Sequence, residues 1–227
     1  MKKINQTLDI LLRQYKGKGA IELSDPFKVL FATIVSQRNK DELTEVVAKR
    51  LFEKYPDILT LAKADETQLA QVIYPAGFYR QKAKKIIATA KLLKERFNGI
   101  VPSTIGELLT LPGVGRKTAN CVLAFGYQIP AIVVDTHVFR ITQRLGWLIA
   151  KNPEETELKL EKLVPKRYWL DINRVIVKHG RTLCKPIGPK CQICPVLNYC
   201  KFGKNKLKKT WAAHLACPDV SRVTNRE

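Results

Sequence analysis

The stretch Leu111-Pro-Gly-Val-Gly-Arg-Lys-Thr-Ala-Asn120 places two glycines between two amphipathic segments. Glycine adopts positive φ angles at little cost and lets another backbone approach closely. We therefore predict a helix, a tight turn and a second helix over residues 103–125. Backbone amides at such a turn can hold a phosphate. The candidate contacts to a nucleic-acid backbone are Leu111, Gly113, Val114, Gly115 and Arg116. An ordinary helical hairpin fits the segment about equally well.

Apolar residues elsewhere recur at intervals of three and four, which is the helical period. Ile4, Leu8 and Leu11 form one such stripe. A longer one runs over residues 83–97, and its lysines are expected on the opposite face. No alternating strand pattern recurs, so the predicted fold class is all-α. The segment after Phe202 is expected to begin as a loop.

The charge is strongly unbalanced, with 40 Lys and Arg against 20 Asp and Glu and a formal net charge of +20. Such an excess repels itself unless an anionic partner offsets it. Nucleic acid is the leading candidate and an anionic membrane surface the weaker one. No apolar run has transmembrane length and the amino end lacks a signal-peptide pattern. We expect a cytoplasmic, nucleoid-associated protein.

Lys117 falls in the first turn of the second predicted helix, beside Arg116. The helix dipole there is worth only ~0.3–1 kcal/mol, too little to free an amine of its proton near neutral pH. Desolvation by a bound substrate, or the charge of Arg116, would have to supply the rest. A lysine activated in this way can attack a sugar carbon and form a Schiff base. Composition alone favours a simple phosphate contact.

Four of the six cysteines fall within seventeen residues, spaced Cys184-x6-Cys191-x2-Cys194-x5-Cys200. Clustered thiols indicate a metal site rather than disulfides. Zinc ribbons usually carry two Cys-x2-Cys pairs and this loop carries one, which favours an iron–sulfur cluster and leaves zinc open. Lys185 and Lys190, inside the loop, could contact phosphate.

Three motifs together resemble the endonuclease III family: Leu111–Asn120, then Val134-Asp135-Thr136-His137, then His179-Gly180-Arg181 leading into the cysteine loop. The resemblance covers about residues 1–202. It implies a two-lobed helix-hairpin-helix DNA glycosylase fold with a C-terminal [4Fe-4S] loop. The implied parts are a helical lobe at 23–132, an iron–sulfur lobe at 1–22 plus 133–202, and a basic tail at 203–227.

The resemblance also implies roles for single residues. Lys117 would be the nucleophile and Asp135 the catalytic aspartate. The implied cluster ligands are Cys184, Cys191, Cys194 and Cys200. Gln37 and Phe78 would enter the gap left by a flipped nucleotide, and Lys190 would bind DNA. The implied activity is base removal from damaged double-stranded DNA, with oxidised pyrimidines expected, followed by abasic-site (AP) lyase cleavage by a monomer.

Two positions depart from the better-known bacterial pattern. Asp41 follows Gln37 by four residues instead of three, and Phe78 stands where leucine is usual. The Ser-Gln-Arg form at residues 36–38 resembles the archaeal branch. These departures bear on lesion preference rather than on the chemistry.

Other functions compete with this interpretation. An AP-site lyase or a DNA-binding module with little glycosylase activity would keep the hairpin and the cysteine loop, but Lys117 together with Asp135 argues against a purely binding role. A uracil or thymine mismatch glycosylase is a further alternative; a related mismatch-glycosylase group has tyrosine in place of Lys117, which argues against membership of that group. An adenine glycosylase is expected to need an acidic residue near the early helices and a further domain. A zinc protein of unrelated function is the fourth alternative.

Overall fold

The computed structural model describes residues 2–17 and 25–215, with side chains as far as residue 208. All regular secondary structure in this part of the chain is helical, which confirms the all-α prediction. None of the helices described there is long and apolar enough to cross a bilayer. The predicted lobe boundary at 22/23 and the tail residues 216–227 lie outside the described residues.

The chain divides into two compact units. Gly17–Asp135 and Pro165–Asn173 form the first, which we call the hairpin unit. Met1–Lys16, Thr136–Val164 and Arg174–Glu227, as far as they are described, form the second, which we call the cysteine-loop unit. The lobe boundaries inferred from the family resemblance differ from the boundaries of these two units and stay a prediction.

The hairpin unit contains seven of the described α-helices and a short π-helical turn. They are α2 (Pro26–Ser36), α3 (Asp41–Lys54), α4 (Ile58–Ala62), α5 (Glu66–Ile73), α6 (Tyr79–Arg96), α7 (Ile105–Leu109), α8 (Arg116–Cys121) and the π turn Val122–Gly126. Asp25 begins α2, because its carboxylate accepts the main-chain N–H groups of Phe27 and Lys28. Pro26 follows at the first helical position, where its missing N–H costs nothing.

Helix α2 is the centre of this unit, packing on α3, α6, α8 and the π turn. Leu30, Phe31 and Ile34 are completely buried in it, and each buried side chain of this kind stabilises the fold by about 1.5–3 kcal/mol. A Cβ at Gly126 would lie 2.8 Å from the Pro26 Cα, so the close approach of the two segments requires glycine.

The cysteine-loop unit is built on longer helices joined to short 3-10 turns. Its helices are α1 (Lys2–Gln14), α9 (Thr136–Leu145), α10 (Pro153–Leu163), α11 (Trp169–Thr182, of which Arg174 onward belongs here) and α12 (Lys201–Leu215). The predicted stripe of α1 is buried, with Leu8 and Leu11 almost inaccessible. Gly180 lets α11 approach α9, since a Cβ there would lie 2.9 Å from Ile141 and closer still to the His137 ring.

The segment after Cys200 departs from expectation. Residues Lys201–Leu215 form α12, whereas a loop was predicted at its start. Lysine, leucine and alanine are good helix formers, and the segment has no proline. The cluster of lysines that suggested a solvated loop is compatible with one exposed helix face.

Candidate active site

Side chains of helix α6 contact the glycine turn at residues 111–115. Leu111 and Val114 are buried, so these two predicted DNA contacts anchor the turn through their side chains. The Thr89 hydroxyl donates to the Pro112 carbonyl at 2.6 Å. Gly113 has φ +78°, a conformation that favours glycine, and the Lys85 side chain lies 3.1 Å from where a Cβ would stand. What the turn offers to a ligand is therefore its backbone, as a phosphate cradle requires.

Lys117 and Asp135 are brought close to one buried thiol. Lys117 lies in the first turn of α8 with an exposed side chain, and Asp135 is half-buried at the end of an apolar segment. Burial raises the pKa of the Cys121 thiol to about 11; the charge of Lys117 acts to lower this pKa and that of Asp135 to raise it. Both charged groups therefore lie within electrostatic range of Cys121.

Two asparagines fix the segment that carries Asp135. Asn120, which is 3 % exposed and one helical turn beyond Lys117, donates its amide to the Ile132 carbonyl at 3.1 Å. Asn173 donates to the next carbonyl, that of Val133, at 3.0 Å. The hydrogen bond of Asn120 ties the helix of Lys117 to the chain three residues before Asp135. Sequence reasoning did not single out either asparagine.

The predicted gap-filling residues lie on two neighbouring loops. Gln37 ends α2 and donates its side-chain amide to the Gly113 carbonyl at 3.0 Å. Phe78 precedes α6 with φ +59° and is 53 % exposed. The Arg38 guanidinium stacks over its ring at 5.2 Å from the centroid. The structure thus brings Gln37 to the hairpin and leaves Phe78 available for contact.

The lysines of the stripe over residues 83–97 are exposed, as predicted, whereas Lys82, one residue before that stripe, differs from them. Its side chain is buried, and its ammonium donates to the carbonyls of Val35 at 2.7 Å and Gln37 at 2.6 Å. Burial lowers the pKa of Lys82 to about 8. The signal was present in the spacing, since Lys82 stands four residues before the buried Ile86. Its burial was not predicted, because the predicted stripe began at Ala83.

The four clustered cysteines line one pocket, which is partly open to solvent. Burial raises the pKa of Cys194 to about 11, and the neighbouring thiols of Cys184, Cys191 and Cys200 add to the effect. A sulfur of this set also accepts a main-chain N–H, from Gly203 to Cys200 at 3.2 Å. Among the described residues, no three His, Cys, Asp or Glu side chains stand in the arrangement of a single-ion site.

His179 lies beside this pocket and is bound into a hydrogen-bonded chain. Its Nδ1 is 3.1 Å from the Tyr15 hydroxyl and its Nε2 is 3.8 Å from the Cys194 sulfur. Burial lowers the pKa of His179 to about 4, so the ring is neutral at physiological pH. These contacts give His179 a role in packing and hydrogen bonding. Lys185 and Lys190 are both exposed on the loop.

The sequence and the fold are similar to those of known DNA repair proteins. Residues 31–166 match the model of the HhH-GPD superfamily of base excision DNA repair proteins. The chain is 49 % identical to endonuclease III of Thermotoga maritima over 185 residues, 82 % of this chain and 87 % of that protein. Identity to endonuclease III of Synechocystis is 40 % over 200 residues, covering 87 % and 91 %. A trapped endonuclease III–DNA covalent intermediate, an estranged-adenine complex, matches with a TM-score of 0.83 and 37 % identity, covering 91 % of this chain and 98 % of that one.

Proposed function

Because the chain belongs to the HhH-GPD superfamily of base excision DNA repair proteins, and within it to the endonuclease III family, we propose that it removes oxidised pyrimidines from duplex DNA through an imine at Lys117. DNA glycosylase and AP lyase activity, and binding to DNA, follow from the family. The lesion class, the monomeric state, the action on duplex DNA in the nucleoid and the residue roles are what the proposal adds. Classification in the archaeal branch stays a prediction.

The observation that carries the proposal is the placement of Lys117 and Asp135 around Cys121. Lys117 is exposed and can reach a sugar, while the half-buried Asp135 supplies a carboxylate in the same region. Cys121 is buried and keeps its proton, so it adds no competing negative charge. A nucleophilic amine with a carboxylate nearby is the arrangement that covalent base removal needs.

The reaction follows from these groups. The damaged nucleotide is extruded, which costs least when the base is already poorly paired. The Lys117 amine attacks C1′, the bond from C1′ to the base breaks, and the base leaves with the bonding electron pair. Loss of the amine proton and opening of the sugar give an imine. This imine makes the C2′ proton acidic, and β-elimination expels the 3′ phosphate. Asp135 accepts the amine proton or stabilises positive charge on the sugar.

The cysteine set fits a [4Fe-4S] cluster, because four thiols line one pocket and one of them already accepts a main-chain N–H. Cys184, Cys191, Cys194 and Cys200 would hold the cluster, whose four iron–thiolate bonds would cross-link the loop. In this proposal Lys190 and Lys185 contact phosphates from the ordered loop. Gln37 and Phe78 occupy the gap beside the extruded nucleotide, and Gln37 leaves the Gly113 carbonyl to do so.

The test is a set of duplexes that each contain one lesion: an oxidised pyrimidine, uracil, a thymine mismatch or an abasic site. Wild-type protein should release the oxidised pyrimidine and be captured on DNA by borohydride. Lys117→Ala should abolish capture, whereas Lys91→Ala, which removes an exposed lysine of α6, should not. Capture that persists in Lys117→Ala excludes Lys117 as the nucleophile. Preference for the mismatch duplex would overturn the lesion assignment.

A further inference from the structure

We propose that Lys82 is a positioning residue that holds the Gln37 and Phe78 loops in one arrangement, so that both side chains enter the DNA together. This inference rests on the proposed function and concerns the extrusion of the base rather than the attack of Lys117. Lys82 itself is buried and is not a DNA contact.

The first argument is the chemistry of a buried cation. An ammonium in a protein interior costs several kcal/mol unless it is paired or hydrogen-bonded. Lys82 is 4 % exposed, and its Nζ donates to the carbonyls of Val35 and Gln37. The Val35 carbonyl is in the last turn of α2 and the Gln37 carbonyl directly follows the helix, at an end where helical carbonyls lack internal partners and the dipole favours a cation. The side chain of Lys82, which belongs to α6, therefore donates hydrogen bonds to the carbonyls at the end of α2.

The second argument is connectivity. The main-chain N–H of Lys82 donates to the Phe78 carbonyl at 2.9 Å, while its side chain binds the Gln37 carbonyl. One residue is thus bonded to both predicted gap-filling residues. Asn39 makes a parallel connection, because its amide donates to Val35 at 2.8 Å and accepts the Gly77 N–H at 2.8 Å.

The third argument is backbone strain. Arg38 and Phe78 both have φ +59°, which side-chain-bearing residues adopt at a cost. Such conformations are unfavourable and persist only where the surroundings impose them. Arg38 directly follows Gln37, whose carbonyl accepts the Lys82 ammonium, and the Phe78 carbonyl accepts the Lys82 main-chain N–H. These two hydrogen bonds of Lys82 therefore help to hold both strained residues. Without the ammonium, the loops lose a constraint that keeps them in this conformation.

The consequence differs between the two steps of the reaction. Base removal begins with a paired base, and the side chains must fill the gap as it leaves the stack. Strand cleavage at a preformed abasic site has no base to extrude. Loss of Lys82 should therefore slow base removal more than cleavage at an abasic site.

The experiment compares Lys82→Met with Lys91→Met, which removes an exposed charge from the same helix. Single-turnover rates are measured with enzyme in excess, on a duplex with an oxidised pyrimidine and on one with a preformed abasic site. Lys82→Met should slow base removal about tenfold or more, since small misplacements are costly. Cleavage at the abasic site should change by less than about threefold. Lys91→Met should leave both rates unchanged.

A double-mutant cycle with Gln37→Ala tests whether Lys82 acts through the loop. The double variant should be no more than about twofold slower than the slower single variant, because both changes remove one coupled element. Equal losses on the two duplexes, or fully additive effects with Gln37→Ala, overturn the inference. If Lys82→Met does not fold, Asn39→Ala should give the same split between substrates, and equal losses there overturn it too. A wild-type protein inactive on both duplexes would instead refute the proposed function.

Discussion

The glycine turn and the cysteine loop are both short irregular segments that precede a helix, but different forces hold them. The turn at residues 111–115 is fixed by buried Leu111 and Val114 and by the hydrogen bond from Thr89 to Pro112. The cysteine loop contains two 3-10 turns, Cys191–Ile193 and Leu197–Tyr199, around a pocket lined by thiols.

The difference concerns what each segment needs before it can act. Packing and hydrogen bonds within the protein position the hairpin. The loop surrounds a pocket lined by four thiols, and thiols become thiolates when a metal binds them. Changes in the hairpin unit should therefore affect chemistry directly, while changes in the loop should act through ligand binding and DNA affinity.

The largest effect is expected in the hairpin unit, from Asp135→Asn, which removes the carboxylate charge and keeps the shape of the side chain. Base removal should slow by about 100-fold, within the usual range for a proton-transfer group. DNA affinity should remain within about threefold, because no phosphate contact is lost. Single-turnover release of the base and gel-shift titration measure the two quantities. Unchanged base removal would show that Asp135 is not catalytic.

A smaller effect is expected from Asn120→Leu, which unties the helix of Lys117 from the segment of Asp135. An unsatisfied buried carbonyl costs about 1–3 kcal/mol, and part of this cost should appear as a roughly tenfold to thirtyfold lower single-turnover rate. Asn173→Leu, which releases the neighbouring Val133 carbonyl, is the matched control for stability. Equal rate losses in both variants, each scaled to its loss of thermal stability, would argue against a special role for Asn120.

On the loop side, Cys194→Ser should reduce the iron content and lower duplex affinity by about tenfold, since the loop lysines lose a fixed position. Cys217→Ser, at a cysteine outside the proposed ligand set, should retain the iron. Iron analysis, visible absorbance and gel shift provide the measurements. If the wild-type protein is colourless and contains zinc, the four cysteines bind zinc instead of an iron–sulfur cluster.

The smallest effect is expected from Lys190→Ala. Loss of one phosphate contact should weaken duplex binding a few-fold and reduce the slope of log K against log salt by about 0.9. The rate at saturating protein should not change. If Lys190→Ala slowed the chemical step at saturating protein, the cysteine loop would contribute to the chemistry as well as to DNA binding.

The sequence predicted the helical fold well, because amphipathic stripes such as Ile4, Leu8 and Leu11 report burial directly. The spacing of Lys117, Asp135 and the four cysteines, with the family resemblance, was enough to name the candidate residues. Prediction failed after Phe202, where the expected loop is the helix α12, and the burial of Lys82 was not predicted. Lysine in a sequence suggests solvent exposure, although its aliphatic stem and its three donors also suit a buried carbonyl pair or an amphipathic helix.

By itself, the sequence determined the helices, the glycine turn and the residue types available for chemistry, since local spacing and backbone preference act over a few residues. Only the tertiary structure decided which of these groups meet. The approach of Asp135 to Cys121, the bond from Asn120 to Ile132 and the bond from Lys82 to Val35 join residues that are 14, 12 and 47 positions apart. Such contacts depend on how helices pack, and no local pattern encodes them.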